Sequence, residues 1–574
     1  MTDTQEPHFS SRRSPVYGRG GMLASSQPLA TAAGLEILSR GGNAADAAVA
    51  TAAALNVTEP TSTGLGGDMF ALFYDAQTGR VSALNGSGRA PQALTLERLG
   101  KDGLLMTGDG GPRTTVSPSS VLGPPSLPPF HPYTVTVPGA CAGWCDLIEK
   151  HGTLPLADIL APAIRLADEG FPVAPLTSYF WRGGAQRQLK TALNGRELTI
   201  DGRGPNPGEL FRNPGLARTL RKIAEGGRQA YYEGEIGEAI VAVLQQAGGC
   251  MTAQDLALHR STWEEPASVV YGDFRVHECP PNGQGITALM ALNLLEGFDI
   301  HSLDPLSPER LHLEIECLRL AFADTRWYVA DPAVVKVPIQ EMLSKEYAAE
   351  RRKLIDPGRA TLDQVHGRPF SSSDTVYFCA VDRWGNACSF INSNYMGFGT
   401  GIVPKGWGFS LQNRGHNFSL DPQHPNVLAP RKRPYHTIIP GMITYTGGPR
   451  SSVLGHATGG EALFGPFGVM GGFMQPQGHV QVFLALADGL DPQSALDLPR
   501  FCLEDGNASD AVALEEGIPD AVMAKLAGMG HGVKPVSGWE RALFGRGQVI
   551  LRGGDGTLAG GSDPRADGCA MTLS

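Results

Sequence analysis

The spacing of apolar and polar residues changes several times along the chain, and each change predicts an element. Gly21–Ser26 (GMLASS) reads as a short strand and turn. Pro28 then opens an Ala- and Leu-rich helix that ends at Gly41-Gly42, where a glycine C-cap fits. Asn43 can cap a second helix, AADAAVATAAALNV, whose small residues suit close packing against a sheet. In TSTGLGGDMFALFYD a glycine turn leads into a buried strand, Met69 to Phe73. VSALNGSGRAP gives a second strand and ends in a Gly-rich turn carrying Arg89. Residues 102–131 are rich in Gly, Pro and Ser without periodicity and read as an exposed loop. From Gly139 to about Trp327 the pattern is mostly helical, as in LADILAPAIRLADEG and PERLHLEIECLRLAFADTRW.

At Thr375 the pattern switches. The polar run Ser371-Ser372-Ser373-Asp374 stops, and VYFCAV follows, apolar on both faces as in a sheet covered on both sides. DRWGN makes a tight turn and ACSFIN returns. HTIIPGMITY, FGVMGG and QVILRG read as further strands, and HVQVFLALADG and PDAVMAKLAGMG as the helices between them. Strands flanked by helices on both faces point to an α/β fold, a four-layer sandwich, although other layered α/β folds fit the same pattern.

The length of 574 residues allows a large core and two or more domains. With 42% hydrophobic and 18% charged residues the composition is that of a globular protein. The net charge of −10 and the lack of a long basic run argue against nucleic acid as a partner. MTDTQEPHFSSRRSPVYG has no apolar core of a signal peptide, and no stretch is long and apolar enough to span a bilayer. The expectation is a soluble, cytoplasmic protein with no membrane partner. Nine dispersed cysteines do not form a disulfide framework. Cys141 with Cys145, on one helix face, and Cys379 with Cys388, across a hairpin, read as reduced buried thiols. There is no CxxC pair, no HExxH and no phosphate loop, so neither metal nor cofactor is expected.

Four blocks together resemble the γ-glutamyltransferase (glutathione hydrolase) family of N-terminal-nucleophile hydrolases. They are GGNAADAAVATAAALNVTEPTSTGLGGDMF, VPGACAGW, the block from Asp374 to Gly401, and FGVMGGFMQPQGH. NGSGRAP, NYMGFGTG, LQNRG and KRPYHTIIP are similar to a branch of acylases and amidohydrolases within it. The resemblance implies a four-layer αββα sandwich made as one inactive precursor. It further implies self-cleavage between Asp374 and Thr375, giving a large subunit, 1–374, and a small one, 375–574, that form one structural unit.

The chemistry explains the threonine. An alcohol needs a base to act as a nucleophile near pH 7, and in this class the base is the nucleophile's own α-amine, free only after cleavage. With a pKa of roughly 8 that amine can take the hydroxyl proton. As an isolated residue Thr375 is simply a β-favouring residue at a strand start; the whole-chain resemblance makes it the expected nucleophile. Ser393 falls where the family has a threonine that bonds the nucleophile's hydroxyl. Gly471 and Gly472 match the pair whose backbone N–H groups form the oxyanion hole. Arg89 matches the segment whose arginine holds a substrate carboxylate, a task suited to a guanidinium fork; an exposed arginine in a solvated turn is the competing reading.

Other positions depart from the family. Its transferases carry a motif like NNEMDDF whose acids bind the glutamyl amine; here the loop reads LQNRGHNF. Arg414 stands at the place of the first acid and Asn417 at that of the amine-binding aspartate. His436 and Thr437 stand where paired serines hold the α-carboxylate, as groups that can still donate hydrogen bonds. Tyr395 replaces an asparagine and Val376 a threonine. The short segment FSLDPQHPNVLAPRKR leaves little for a lid, so water should outcompete an acceptor amine and hydrolysis should exceed transpeptidation. The expected substrate is a γ-glutamyl amide such as glutathione. The exchanged charges keep open a second class, other small acidic amides of oxamate or glutaryl type. The reading from another class is an unprocessed, non-catalytic binding protein; Thr375, the hydroxyl at Ser393 and the glycine pair speak against it. The tail GGSDPRADGCA is assigned a structural role.

Overall fold

The structure, a computed structural model, describes residues 13–105, 126–362, 374–447, 460–504 and 511–574. Most of the expected 102–131 loop, the run Ser371–Ser373 and the start of the chain lie outside the described residues.

Two seven-stranded sheets form its centre. Their strands are β1 (Val16–Gly18), β2 (Gly21–Ser25), β3 (Asp68–Asp75), β4 (Arg80–Gly86), β5 (Thr262–Glu264), β6 (Ala267–Tyr271) and β7 (Phe274–Glu278). After residue 373 come β8 (Asp374–Asp382), β9 (Ala387–Tyr395), β10 (Gly441–Tyr445), β11 (Ala462–Met470), β12 (Arg546–Arg552), β13 (Leu558–Ser562) and β14 (Cys569–Thr572). One sheet runs β1-β13-β12-β11-β10-β7-β6 and the other β14-β2-β8-β9-β3-β4-β5. Each sheet therefore contains strands from both sides of residue 374.

The unbroken apolar strands are explained by burial on both faces. Along β8, Val376, Phe378 and Ala380 point into a core shared with helices, whereas Tyr377, Cys379 and Val381 point into a second core between the sheets. The helices α1 (Pro28–Ser39), α2 (Ala44–Thr58) and α3 (Leu156–Glu169) cover the outer face of this sheet. Asn43 caps α2, with its side chain accepting from Ala45 and Asp46 N–H and Asp46 answering it in a capping box. On the far side α4 (Gly285–Leu295), α5 (Pro308–Tyr328) and α6 (Met474–Ala487) pack on the other sheet around Val276, Ile443, Phe467 and Val469. Three apolar layers thus separate four layers of elements, an α/β sandwich as expected.

Two elements differ from the sequence reading. HTIIPGMITY is a strand only from Gly441. Pro440 has no N–H to give a ladder. The preceding residues bond elsewhere, His436 N–H to Asn282 O (2.8 Å) and Ile439 N–H to Gln475 Oε1 (2.9 Å). Helix α6 begins at Met474, ahead of HVQVFLALADG, because Pro476 falls in its first turn, where no donor is missed. All nine cysteines are free; Cys388 pairs in register with Ala380, one residue from Cys379. In the tail, Arg565 bonds Glu515 (2.6 Å) and Asp563 (3.0 Å) in a fully buried network that pins the C-terminal strands.

Candidate active site

β8 opens against β9 with an irregularity. Asp374 pairs with Tyr395 but Val376 pairs with Asn392, so β9 carries one extra residue opposite Thr375. Tyr395 takes up the slack at φ 79°, a conformation that a bulky side chain adopts only under strain. The consequence is local. Ser393 Oγ comes 3.0 Å from Thr375 Oγ1, and both residues are fully buried. The turn Gly64–Gly67 presses on the same place. A Cβ on Gly67 would meet Ser393 O at 2.2 Å, so only glycine lets β3 start here.

Ser393 Oγ is also an acceptor for two donors, Arg414 Nη2 (3.2 Å) and the N–H of Tyr395 (2.9 Å). Arg414 Nη1 donates to Thr437 Oγ1 at 2.7 Å, and the guanidinium lies 4.5 Å above the Tyr395 ring. Arg414 is fully buried, and among the described residues no carboxylate is within ion-pairing distance of it. Burial lowers its pKa to about 10, still charged at neutral pH. The site therefore holds a positive charge beside the paired hydroxyls.

The buried carboxylate nearby is committed elsewhere. Asp68, opposite Ser393 in the β9–β3 register, accepts from Gly88 N–H (3.0 Å), Gly139 N–H (3.2 Å), Gln412 Nε2 (3.1 Å) and His436 Nε2 (3.0 Å). It draws together the loops around residues 88, 139, 412 and 436. His436 is spent on this hub, because its Nδ1 accepts from Ile438 N–H. Burial, then the charge of Arg414, depress its pKa to about 3, so the ring is neutral.

Gly471 and Gly472 end β11 and lead into α6, at φ 136° and 61°. Their N–H groups lie at the start of a 14-residue helix, where its dipole is positive. Gln284 fixes this turn to the hydroxyl cluster, donating to Gly472 O (2.8 Å) and Thr437 O (2.6 Å).

Of the residues singled out in the sequence, the structure brings Thr375, Ser393, Arg414 and Thr437 into one chain of hydrogen bonds. Gln284 ties Gly472 to that chain. His436 is not a spare donor but part of the Asp68 hub, since both ring nitrogens are used. Asn417 donates to Tyr435 O (3.1 Å), and Arg89 donates to Arg260 O (3.2 Å); neither bonds the hydroxyl cluster. Asp68 and Gln284 were missed. Asp68 lies inside the GLGGDMF block, where a charged residue amid apolar ones was a readable signal. Gln284 gives none. The segment after Phe418 is no lid: Phe418, Leu420 and Leu428 pack with Ala90, Leu94 and Tyr133.

One trio among the described residues approaches metal-ligand spacing, the buried His312, Glu316 and His531. His312 Nδ1 and His531 Nε2 are 2.8 Å apart, and His312 Nε2 donates to Asp356 O (2.8 Å). The guanidinium of Arg319 lies 3.2 Å from Glu316 and 3.4 Å from His531, so this cluster already contains a cation. Among the described residues no helix is long and apolar enough to cross a membrane.

The geometry has counterparts. A family model, gamma-glutamyltranspeptidase, matches residues 30–573. "Glutathione hydrolase-like YwrD proenzyme" of Bacillus subtilis is 36% identical, covering 97% of this chain and 99% of its own. "Acylase ACY 1 proenzyme" of a Pseudomonas species is 33% identical, covering 99% and 96%. The crystal structure of cephalosporin acylase from Bacillus halodurans superposes with a TM-score of 0.88 at 44% identity, covering 100% of this chain and 99% of that one.

Proposed function

The chain belongs to the gamma-glutamyltranspeptidase family of amide hydrolases and acylases, and from that premise we propose a self-processing amidohydrolase for small anionic acyl groups. The reading assigns Thr375 as nucleophile. Cleavage before it frees the α-amine, which takes the hydroxyl proton; Oγ1 then attacks the substrate carbonyl. The N–H groups of Gly471 and Gly472 receive the oxyanion, the amine departs with a proton, and water opens the ester. Ser393 and Arg414 act as positioning groups for Thr375.

The observation that carries the choice of acyl group is Arg414. A buried guanidinium that has no carboxylate partner among the described residues attracts an anion and repels an ammonium, and the carboxylate beside it accepts from four donors. A γ-glutamyl group brings an ammonium into this field; a glutaryl group does not. The relatives named as acylases support the same reading. γ-Glutamyl amides such as glutathione are the second reading, favoured by the relative named glutathione hydrolase-like.

Intact mass of the purified protein, followed by kinetics on glutaryl- and γ-glutamyl-p-nitroanilide, tests the proposal. Expected are two chains, the smaller spanning residues 375–574, a Thr375→Ala variant that stays whole, and a higher kcat/KM for the glutaryl compound. A preference for the γ-glutamyl compound would overturn the assignment of the acyl group. A protein uncut in both forms would overturn the mechanism.

A further inference from the structure

The turn proposed to receive the oxyanion poses a problem of rigidity. Gly471 and Gly472 stand at φ 136° and 61°, and a pair without Cβ atoms has little of its own to hold such a turn in one form. Among the described residues neither N–H of the pair has an acceptor, whereas both carbonyls are held. Met474 N–H donates to Gly471 O at 3.0 Å, and Gln475 N–H approaches Gly472 O at 3.3 Å. The shorter contact to Gly472 O comes from a side chain, Gln284 Nε2, at 2.8 Å. A trans peptide sets its N–H opposite its C=O, so the carbonyl contacts also fix where the Gly472 N–H points.

Gln284 stands just before α4 and is fully buried. Every polar atom of its side chain is used. Nε2 donates to Gly472 O and to Thr437 O (2.6 Å), and Oε1 accepts from the Tyr435 hydroxyl (3.0 Å). Carbonyl oxygens carry no proton, so only the NH2 end of the amide can face two of them. Burial pushes the Tyr435 hydroxyl up to about 12, so it keeps the proton it donates. The backbone is held as well. Gln284 N–H donates to His436 O (2.9 Å) and His436 N–H to Asn282 O (2.8 Å), which sets 282–284 parallel to 434–437. Thr437 is thereby gripped at both ends, its carbonyl by Gln284 and its Oγ1 by Arg414, whose other nitrogen donates to Ser393 beside Thr375. A single amide links the glycine turn to the chain of groups that orients the hydroxyl of Thr375.

We infer that Gln284 is a positioning residue that sets how the N–H groups of Gly471 and Gly472 stand relative to Thr375 Oγ1, with Tyr435 holding its amide in place. The inference rests on the proposed mechanism and gives one residue, remote from any substrate contact, a share in kcat. Formation and opening of the ester both pass through an oxyanion at this turn. A turn free to rotate therefore weakens both transition states and leaves ground-state binding alone.

The test uses two variants. Gln284→Met keeps the length of the side chain and removes its donors and acceptor; Tyr435→Phe removes only the hydroxyl. Steady-state rates on glutaryl- and γ-glutamyl-p-nitroanilide are normalised to the amount of the 375–574 chain found by intact mass. Misalignment should lower kcat about tenfold to a hundredfold in Gln284→Met. Loss of one hydrogen bond should lower it about threefold to tenfold in Tyr435→Phe. KM should be unchanged in both, and the loss should be the same for both substrates, because the oxyanion is common to every acyl group. Isothermal titration with the acid of the preferred substrate, glutarate or glutamate, should give the wild-type affinity. General loosening of the site would instead raise KM and weaken that acid, and this outcome overturns the inference. So does a wild-type kcat in either variant. Should Gln284→Met fail to fold or to cut, the kcat of Tyr435→Phe decides. A wild type that cuts and turns over, with unaffected variants, leaves the functional reading standing; a wild type that does neither overturns both.

Discussion

Removing one oxygen atom, by Ser393→Ala, strikes the centre of the site. Ser393 Oγ is a shared partner of three buried groups, at 3.0 Å from Thr375 Oγ1, 3.2 Å from Arg414 Nη2 and 2.9 Å from Tyr395 N. The alanine fits the strand, so no clash confuses the result. The two donors are then left facing a methyl group. A buried unsatisfied donor costs about 1–3 kcal/mol, with the charged one at the upper end, so stability should fall by about 3–5 kcal/mol. That is tolerable against a typical total of about 5–15 kcal/mol, and the variant should fold. Thr375 loses the contact that fixes its hydroxyl and Arg414 loses one of its two anchors. If misorientation raises the barrier by about 2–3 kcal/mol, self-cleavage should slow by about 30- to 150-fold. Urea unfolding gives the first number, and a time course of intact mass after synthesis gives the second. A variant that cuts at the wild-type rate with an unchanged unfolding midpoint would refute the reasoning, since the shared oxygen would then hold nothing. Ser393→Thr keeps the oxygen and should restore cutting.

Two further outcomes follow from the same geometry. Gly471→Ala places a Cβ 3.1 Å from Gly545 Cα at a backbone φ of 136°, so the turn proposed to receive the oxyanion must shift. Turnover should fall about a hundredfold to a thousandfold, as when one oxyanion donor is lost, with KM little changed in steady-state assays. His436 gives a pH dependence. Its folded pKa of about 3 lies below the unfolded value of roughly 6.5, so only the unfolded chain binds that proton between the two. Stability is unaffected above pH 6.5 and falls on acidification by about 1.4 kcal/mol per pH unit. Urea unfolding at pH 7 and pH 5 should differ by about 2 kcal/mol less in His436→Gln than in the wild type.

Periodicity located the strands and helices because burial on two faces leaves a strong mark: Val376, Phe378 and Ala380 need apolar neighbours as much as Tyr377, Cys379 and Val381 do. It extended a strand through His436–Pro440 because apolar residues look alike whether their backbone bonds a neighbouring strand or a side chain such as Gln475. The motif residues that the structure brings together, Thr375 and Ser393, are those whose spacing the hairpin fixes, and Gly471 and Gly472 stand at positive φ. Asp68 was harder to see. A carboxylate earns its importance from donors about 20, 71 and 368 residues away, and no local pattern carries those separations. His436 and Arg414 were recognised as positions but not for their use, because whether a donor is free depends on what else has claimed it.

The mixing of strands from both sides of residue 374 in each sheet has a consequence for how the protein persists. A cut before Thr375 leaves two polypeptides that share both sheets, with β8 lying between β2 and the rest of its own hairpin. Neither piece owns a complete sheet. The intact precursor reaches this arrangement by a unimolecular reaction, whereas a denatured pair must find each other in solution, at a rate that falls with dilution. The proposed cleavage would therefore turn a reversible fold into one preserved by its unfolding barrier, and the lifetime of the cut form would be a matter of kinetics more than of equilibrium.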